Sequence, residues 1–466
     1  MTTDRTYQPD PLDARLASLL PRGSLFAVGG RVRDELRADG ARLNSPALKD
    51  LDYVVTGIDL DSLQQRLQSA TRVDLVGASF SVLKVTLDGK TVDIALPRRE
   101  RSTGAGHREF AIEAGPHVSL EDDLARRDFR MNMIARALPS GNLVDPFGGE
   151  ADVRAGRIDI LREQAFAEDP LQMLRAAQFA ARFEYTLTEP TRRAMTKMAD
   201  QIKTVSVERI ADELTKMLTL SRQPSIGLEL MRESGLLAAL WPELLEGYGI
   251  EQNEWHAYDV YHHALATVDA APMGDLVLRS AALFHDVGKP RAKDGPHFYG
   301  HEVVGEELAR SMLSRLRFSN QVVDDVAHLV RHHMYSADPQ ITDAGIRRFV
   351  RRIGTEHLQQ QFALRLADAI GSGLPRREDG NAQFEARVWE EVARKPAFSL
   401  RDVAVDGGDV IELMVRKGLA PQGFHGDARV GDALLWLFEQ VTDRPERNER
   451  SQLLSLLDEY FDAQPA

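Results

Sequence analysis

The 466-residue chain contains no cysteine. Disulfide bonds, cysteine-ligated zinc, iron–sulfur clusters and thiol nucleophiles are therefore excluded, and any bound metal must be held by His, Asp or Glu. Positive charge is also scarce, because 58 Lys and Arg face 71 Asp and Glu and leave a net charge of −13. Such a chain is a poor candidate for coating nucleic acid non-specifically, although a local basic patch can still hold RNA.

Long apolar runs are missing as well. No stretch approaches the roughly 18 residues of a membrane-spanning helix, and residues 1–11 contain no apolar signal-peptide core. We therefore expect a cytoplasmic protein that does not bind the membrane. Hydrophobic residues make up 43% of the chain, which is enough for several buried cores.

The first 160 residues mix short apolar runs with turns and helices, starting with the run Leu25–Val28. Ser81–Leu87 and Lys90–Leu96 are typical of paired strands. The Asp88-Gly89 pair between them is a favoured hairpin turn, because both positions tolerate positive φ. After about residue 160 the strand signal disappears and apolar residues recur at helical spacing, as at Ile210, Leu214, Met217 and Leu218.

A glycine pair follows the first predicted strand. Gly29 and Gly30 precede a predicted helix, where backbone N–H groups and the helix dipole favour a phosphate. Some twenty residues later, Asp50 and Asp52 alternate on a predicted strand and so point to one face. Adjacent carboxylates repel unless a cation neutralises them, and Mg²⁺ prefers oxygen ligands. Asp93, on the second strand of the hairpin, is a candidate third carboxylate.

Together these motifs resemble the nucleotidyltransferases of the polymerase-β type. More narrowly, the glycine pair followed by Asp-Leu-Asp is similar to the class II CCA-adding tRNA nucleotidyltransferases and the related bacterial poly(A) polymerases. Further elements follow in that family's order: Leu124–Asn132, Asp145–Gly149, Glu168–Pro170 and Ser206–Ile210. The resemblance covers most of the chain and is thinnest over the glycine-rich tail.

The resemblance implies a two-metal phosphoryl transfer that adds C, A or both to a tRNA 3′ end. Asp50 and Asp52 would be catalytic and would hold Mg²⁺, and the expected partners are tRNA, CTP and ATP. Arginine suits nucleotide binding because its fork of donors matches phosphate oxygens. The implied nucleotide-binding residues are Gly29, Gly30, Arg33, Arg126, Arg127, Asp128, Asn132, Asp169, Gln172 and Arg175.

Basic residues interleaved with glycines fill residues 97–108. This composition suggests a mobile cationic loop near the site. In the family that the chain resembles, a flexible loop at this position helps to complete A addition, so the segment favours an enzyme able to add A. A plain connector fits the composition equally well.

One motif departs from the family's pattern. The motif Glu-Asp-x-x-Arg, which reads the base in the family, here ends in Gln172, and Gln178 stands where related sequences often carry arginine. Residues three apart share a helix face, which would place Asp169 beside Gln172. A neutral amide both donates and accepts, so U or G could exploit it. We expect narrowed or blurred nucleotide choice, unless Arg175 or a neighbouring basic residue compensates.

A second polar set lies on the predicted helices of the body, around His285-Asp286 at the end of an apolar helix. Imidazoles and carboxylates from successive helices can converge on one or two divalent metals and leave a position for water. The order of these residues resembles the HD phosphohydrolase superfamily. The candidate ligands are His263, His285, Asp286, His301, His333 and Asp368. His332 stays open as an alternative to His333, and His256 and His262 are expected to be peripheral.

The predicted fold class is therefore α+β: a polymerase-β-type nucleotidyltransferase head with a mixed sheet, then an elongated all-α neck, an HD body and a tail. The predicted segments are 1–160 for the head, 161–222 for the nucleotide-selecting neck, 223–375 for the body and 376–466 for the helical tail. The leading function is tRNA nucleotidyl transfer with an HD phosphohydrolase activity. Two alternatives stay open. One is an HD phosphatase or phosphodiesterase that uses the head for RNA binding, and the other is a poly(A) polymerase, for which a more basic tail is expected.

Overall fold

The computed structural model of the protein describes residues 10–37, 51–76, 82–102, 110–338, 340–375 and 381–463. The chain divides into two compact units, and the boundary along the chain falls between Leu245 and Glu246. The three internal boundaries predicted from sequence lie within these units. The division into four segments therefore stays a prediction.

All the strands in the described part of the chain belong to the first unit. They are β1 (Leu25–Val28), β2 (Asp52–Val55), β3 (Arg72–Val76), β4 (Val82–Leu87), β5 (Lys90–Ala95), β6 (Arg98–Ser102), β7 (Phe110–Ala114), β8 (Ala135–Ala137), β9 (Leu143–Val144), β10 (Arg157–Ile158) and β11 (Thr186–Leu187). The main sheet has the order β3-β4-β5-β2-β1-β8-β9. In it β2 and β5 run parallel and the other neighbours antiparallel. This mixed sheet confirms the predicted α+β head.

The hairpin of β4 and β5 forms where the sequence predicts it. Asp88 and Gly89 take φ angles of 53° and 76°, as a two-residue turn with left-handed residues requires. Alternate side chains of both strands, Leu83, Val85 and Ile94 among them, are fully buried. The turn and the period-two pattern thus agree on one register.

Two predictions about chain organisation need correction. Residues 98–102, predicted as part of a loop, form strand β6, which pairs with β7. Residues 103–109 of the predicted loop lie outside the described part of the chain. Beyond residue 160, where only helices are predicted, the short strand β11 pairs in parallel with β10. Two-residue strands carry no periodic signal, because their pairing is set by the chain folding around them.

Helices complete the first unit and pack against the sheet and one another. They are α1 (Pro11–Leu19), α2 (Gly30–Arg37), α3 (Leu60–Gln68), α4 (Leu120–Ala125), α5 (Gly149–Ala155), α6 (Ala165–Glu168), α7 (Leu171–Phe183), α8 (Glu189–Met198), α9 (Val207–Leu220), α10 (Pro224–Ser234), α11 (Leu236–Leu240) and α12 (Pro242–Leu245). Short 3₁₀ turns occupy Arg130–Asn132 and Ala199–Thr204. Helix α9 buries Ile210, Leu214, Met217 and Leu218, the face predicted from their spacing.

The described part of the second unit consists of helices joined by loops, with one isolated bridge between Asp294 and His297. The helices are α13 (Val260–Ala270), α14 (Leu276–Phe284), α15 (His301–Arg315), α16 (Asn320–His332), α17 (Asp343–Ile353), α18 (Leu358–Gly371), α19 (Asn381–Ala393), α20 (Gly407–Arg416), α21 (Ala428–Asp443) and α22 (Arg450–Asp462). Short 3₁₀ turns occupy Leu400–Asp402 and Pro445–Arg447. A cluster of aromatic rings, Tyr335, Phe349, Phe362 and Phe384, joins α17, α18 and α19. None of the described helices is long and apolar enough to cross a membrane.

Candidate nucleotide and metal sites

Two carboxylates lie side by side at one end of the main sheet. Asp52 begins β2, and its register partner on the parallel strand β5 is Asp93. Register partners on adjacent strands share a face and are separated by about 4.8 Å of strand spacing. This pairing brings together two of the three carboxylates predicted at the head. Asp50, the third, lies outside the described residues.

The glycine turn lies beside this pair and against an arginine. Ala27 pairs with Tyr53, so the chain leaves β1 for Gly29 where β2 begins. Gly29 has φ +70°, and a Cβ there would come within 2.7 Å of Nη1 of Arg127. Only glycine combines this backbone conformation with so close an approach. The guanidinium of Arg127 therefore lies against the glycine turn that the sequence predicts as a phosphate-binding turn.

Asp123 holds both arginines of the predicted pair. Arg126 and Arg127 follow the end of α4, and their guanidinium groups lie 2.8 Å and 3.1 Å from the two carboxylate oxygens of Asp123. Asp123 is fully buried. Burial alone would raise the pKa of Asp123, but the positive charges of Arg127 and Arg126 outweigh it and lower the pKa. Sequence reasoning missed Asp123, although the spacing of one helical turn to the arginines signals the pairing.

A second chain of contacts links the predicted residues further along. Buried Arg33 donates to Oδ1 of Asn132 at 2.8 Å, and Asn132 donates to Oδ1 of Asp128 at 2.8 Å. Asp128 in turn binds Arg175 at 2.7 Å. The guanidinium of Arg33 also stacks on Phe183, 4.5 Å from the ring centre. The network ties α2, the 3₁₀ turn and α7 into one wall of the site.

The base-reading motif that ends in Gln172 does not place Asp169 and Gln172 on one helix face as predicted. Asp169 lies between α6 and α7 with φ −138° and ψ 89°, so it does not share a helix with Gln172, which lies in the first turn of α7. Pro170 explains this, because proline suits a helix start and pushes the preceding residue out of the helical region. The backbone oxygen of Asp169 accepts from the N–H of Gln172 at 3.0 Å.

The side chains around this motif are unevenly paired. Arg209, from the Ser206–Ile210 element, reaches both oxygens of Asp169 at 3.3 Å and 3.4 Å. Oε1 of Gln172 and Nε2 of Gln178 are buried without a hydrogen-bond partner in the described structure. Arg175 or a neighbouring basic residue was expected as the possible substitute for the missing arginine, and this stays a prediction. Arg175 contacts Asp128, and Arg209 contacts Asp169.

In the second unit, the predicted metal ligands converge on Asp286. One carboxylate oxygen lies 3.4 Å from Nε2 of His263 and 3.2 Å from Nε2 of His285, and Asp368 lies 3.1 Å from Nε2 of His263. The other oxygen lies 3.3 Å from Nε2 of His301 and 3.7 Å from Nε2 of His333. Asp286 thus joins two groups, which together we call the histidine cluster: His263, His285, Asp286, His301, His333 and Asp368.

The imidazole orientations suit metal binding. Nδ1 of His285, His301 and His333 each faces a backbone carbonyl of the preceding turn at 2.7–2.9 Å. A carbonyl only accepts, so Nδ1 carries the proton and Nε2 is left to bind an ion. Ligands about 2.1 Å from one ion are separated by roughly 3.0–3.4 Å. The Nε2 atoms of His263 and His285 are 3.1 Å apart, and those of His301 and His333 are 3.2 Å apart. The described residues therefore fit two divalent ions that share Asp286.

The electrostatics of the cluster keep its carboxylates charged. Burial opposes ionisation of Asp286, but His285, Lys289 and His301 hold its pKa well below the ordinary value. Asp368 behaves alike, since its hydrogen bond with His263 and the nearby His285 lower its pKa against the effect of burial. Both groups thus present negative oxygens.

Three neighbours qualify the predictions for this site. His333 faces the cluster, while His332 packs edge-to-face against His328 with ring centres 4.6 Å apart. His256, expected to be peripheral, lies beside His263 with ring centres 4.7 Å apart and is close enough to complete a further group of potential ligands. His262 binds Asp259 and lies outside the cluster.

Sequence analysis did not name Lys289 as a residue of this site. Its ammonium lies 2.6 Å from Asp286. The signal for it was its position three residues after Asp286, one helical turn away.

Three family descriptions match the chain over the parts just described. Residues 25–159 match the poly A polymerase head domain, and residues 184–247 match the probable RNA and SrmB-binding site of polymerase A. Residues 256–370 match the HD domain. The fold and its sites thus define a nucleotidyltransferase with an attached HD domain.

Curated relatives extend this similarity to nearly the whole chain. The multifunctional CCA protein of Azoarcus sp. (strain BH72) is 34% identical over 420 residues, which cover 87% of this chain and 95% of that protein. The multifunctional CCA protein of Neisseria gonorrhoeae (strain NCCP11945) is 38% identical over 321 residues, covering 66% of this chain and 73% of its own length. The chain belongs to the family of multifunctional CCA proteins.

Solved structures share the fold. The CCA-adding enzyme of Bacillus stearothermophilus, solved in complex with CTP, superimposes with a TM-score of 0.69 and 23% identity over 97% of this chain and 96% of that one. The Thermotoga maritima CCA-adding enzyme complexed with tRNA gives a TM-score of 0.58 and 18% identity over 97% and 96% of the two chains.

Proposed function

We propose that the protein adds C and A nucleotides to the 3′ end of tRNA from CTP and ATP. The observation that carries the proposal is the Asp52–Asp93 pair beside Gly29 and Arg127. Phosphoryl transfer needs metal binding, positioning and positive charge from the protein. The carboxylate pair, Gly29 and Arg127 are the residue types that supply them. The relatives' names, and the CTP, ATP and tRNA in the neighbours' structures, support the choice of substrates.

In this proposal Asp50 and Asp52 hold Mg²⁺, with Asp93 as a third carboxylate. Bound Mg²⁺ would activate the RNA 3′-hydroxyl and neutralise charge on the leaving pyrophosphate. The backbone N–H groups at Gly29 and Gly30 and the guanidinium groups of Arg126 and Arg127 bind the triphosphate. Two further sets of residues complete the site. Arg33, Asp128 and Asn132 form one wall of the site. Asp169, Gln172 and Arg175 lie where the nucleobase binds.

Replacing Asp52 tests the transferase site. Asp52→Ala should abolish CTP and ATP incorporation into tRNA that lacks its 3′ end, because the metal loses a ligand. Binding of tRNA, measured by gel shift, should stay near the wild-type value. Asp74→Asn is the control, since Asp74 lies three strands away on the same sheet, exposed and paired with Arg72.

The outcome decides the assignment directly. Wild-type extension rates in Asp52→Ala would contradict it, as would equal loss in Asp74→Asn. Supplying CTP and ATP separately to tRNAs that end before, within or after CCA then shows which additions the wild type performs.

We also propose that the histidine cluster is a metal-dependent phosphohydrolase site. Its metals would supply a nucleophilic water at neutral pH and bind phosphate oxygens. Here Asp286 bridges the two groups, and the carbonyl contacts at Nδ1 of His285, His301 and His333 leave Nε2 directed to the metal.

The double variant His285→Ala, Asp286→Ala separates this site from the head. Phosphatase and phosphodiesterase activity with added divalent metal should disappear, while CTP incorporation persists because the head lies in the other unit. Loss of both activities in a folded double variant would refute the assignment of two independent sites.

The proposal includes a cytoplasmic location, since tRNA and nucleoside triphosphates are cytoplasmic substrates. It also includes the organisation of the chain into four segments.

A further inference from the structure

A buried ionic network lies next to the residues of the transferase site and includes a side chain of helix α1. Asp13 of α1 is fully buried, and Arg31 of α2 and Tyr53 of β2 are at most 6% exposed. Arg31 donates to Oδ1 of Asp13 and to the hydroxyl of Tyr53, both at 2.9 Å, and Tyr53 donates to Oδ1 of Asp13 at 2.6 Å. Each of these three side chains thus contacts the other two, and we call them the Asp13 network.

The Asp13 network joins the two segments that carry the transferase residues. Tyr53 directly follows Asp52 on β2, and Arg31 directly follows Gly30 in the first turn of α2. Successive residues of a strand point to opposite faces, so Tyr53 holds β2 from the face opposite Asp52. The backbone at Asp52 and the glycine turn are therefore both tied to the carboxylate of Asp13.

The charges around the Asp13 network are balanced. Arg31 also donates to Glu35 at 2.9 Å, and Glu35 accepts from Arg136 at 2.9 Å, so two arginines accompany two carboxylates. Burial raises the pKa of the Tyr53 hydroxyl, which therefore stays protonated and donates. A buried ion pair adds little net stability, because the cost of removing both charges from water offsets their attraction. What such a pair can supply is a fixed geometry.

Helix α1 precedes the segment that matches the head domain, which begins at residue 25. We propose that Asp13 is a positioning residue of the transferase site, which acts through Tyr53 and Arg31 to orient Asp52 toward Mg²⁺. Removing a group that orients a metal ligand typically costs about 10- to 100-fold in metal affinity or activity. The inference rests on the transferase function proposed above.

Two conservative variants test this role. Tyr53→Phe removes only a hydroxyl, and Asp13→Asn removes the charge with little change in shape. CTP incorporation by either variant should need about 10-fold more Mg²⁺ for its half-maximal rate, with the KM for tRNA unchanged. Excess Mg²⁺ should restore most of the rate, which it would not do if the variants were merely less stable. Leu63→Ala, which removes a fully buried side chain of α3 outside the network, should lower the thermal midpoint and keep the wild-type Mg²⁺ requirement.

Binding of Mn²⁺, measured by electron paramagnetic resonance, gives a readout independent of catalysis. The full chain with His285→Ala and Asp286→Ala lacks ligands of the second unit, so its bound Mn²⁺ reports on the head. In this background Tyr53→Phe and Asp13→Asn should each weaken Mn²⁺ binding about 10-fold. Unchanged Mn²⁺ affinity in either variant would refute the proposal, and so would an equal loss in Leu63→Ala.

Failure of the transferase function looks different from failure of this inference. The wild type would then incorporate no CTP, while the dependence of Mn²⁺ binding on Tyr53 and Asp13 would persist. Thermal unfolding of each variant shows that the head is folded.

Discussion

Gln172 and Asp123 show how a single side chain sets the chemistry of the head. Gln172 places a neutral amide three residues after Asp169, and its Oε1 is buried without a partner in the described structure. Arg209 contacts the carboxylate of Asp169, while Arg175 is bound to Asp128. Asp123 anchors Arg126 and Arg127, and Arg127 lies against the glycine turn. Gln172→Arg adds a positive charge to the head, and Asp123→Asn removes a buried negative charge from it.

Gln172→Arg should sharpen nucleotide choice. A charged donor at this position adds a charge-assisted hydrogen bond of about 1.5–3 kcal/mol. This corresponds to a preference for CTP and ATP over UTP and GTP that rises roughly 10- to 100-fold. Single-nucleotide incorporation kinetics with each triphosphate measure it, and Gln201→Arg, on an exposed turn of the same unit, controls for added charge. Complete CCA addition with full fidelity by the wild type, unchanged by the substitution, would refute the expectation.

Asp123→Asn should lower stability and flatten its dependence on pH. The pKa of Asp123 is lower folded than unfolded, so its contribution is fully present above the unfolded value near 4 and is lost as the pH falls below it. Removing a buried charge from two arginines costs about 3 kcal/mol at pH 7. Urea unfolding of the first unit between pH 7 and pH 3 measures both effects. Asp200→Asn, at an exposed carboxylate paired with Lys203, should have little effect. An unchanged pH slope in Asp123→Asn would mean that the arginines do not depend on this carboxylate.

At the scale of elements, glycines determine how closely the helices of the second unit approach. A Cβ on Gly371 of α18 would come within 2.2 Å of Oγ1 and 2.8 Å of the backbone of Thr267 on α13. One helical turn away, the same two helices bring Asp368 within 3.1 Å of His263. The spacing of the two helices and the geometry of the ligands are therefore coupled.

Gly371→Ala should force α18 away from α13 and weaken metal binding at the cluster. Overpacking of this kind costs about 1–3 kcal/mol of stability. Calorimetric titration with a divalent metal measures the loss of affinity, and thermal unfolding measures the stability. In Gly431→Ala, a helical glycine with nothing within 4 Å of the added methyl group, stability should stay constant or rise. Equal metal affinity in Gly371→Ala and the wild type would show that the helices accommodate the methyl group without moving the ligands.

At the scale of the whole molecule, the two compact units divide the chemistry. The carboxylate pair and the arginines belong to the first unit, and the histidine cluster belongs to the second. A ligand that binds only the folded form of one unit stabilises that unit by mass action.

Calorimetry of the full chain should therefore show two unfolding transitions. A divalent metal at about 100 times its dissociation constant adds about 2.7 kcal/mol to the second unit, which raises its midpoint by roughly 5–10 °C. His285→Ala with Asp286→Ala should abolish this shift and leave the other transition in place. A single transition that shifts as a whole would show that the units unfold together.

Local patterns determined much of this protein from the sequence alone. The Asp88-Gly89 turn fixes the hairpin because few residue pairs tolerate positive φ twice in succession. The burial of Ile210, Leu214, Met217 and Leu218 follows from their helical spacing. The order of the Gly-Gly, Asp-x-Asp and His-Asp motifs led to the family that the relatives show, because these residue types are tied to phosphate and metal chemistry.

The tertiary structure alone decided which side chains meet across elements distant in sequence. Asp93 reaches Asp52 through the register of two parallel strands, and Arg209 reaches Asp169 across 40 residues. His333 rather than His332 faces Asp286 because α16 ends just before it, and the rotation of that helix is set by packing. Spacing along the chain determines local conformation, whereas contacts between elements depend on how whole helices and strands pack, which no short stretch of sequence contains.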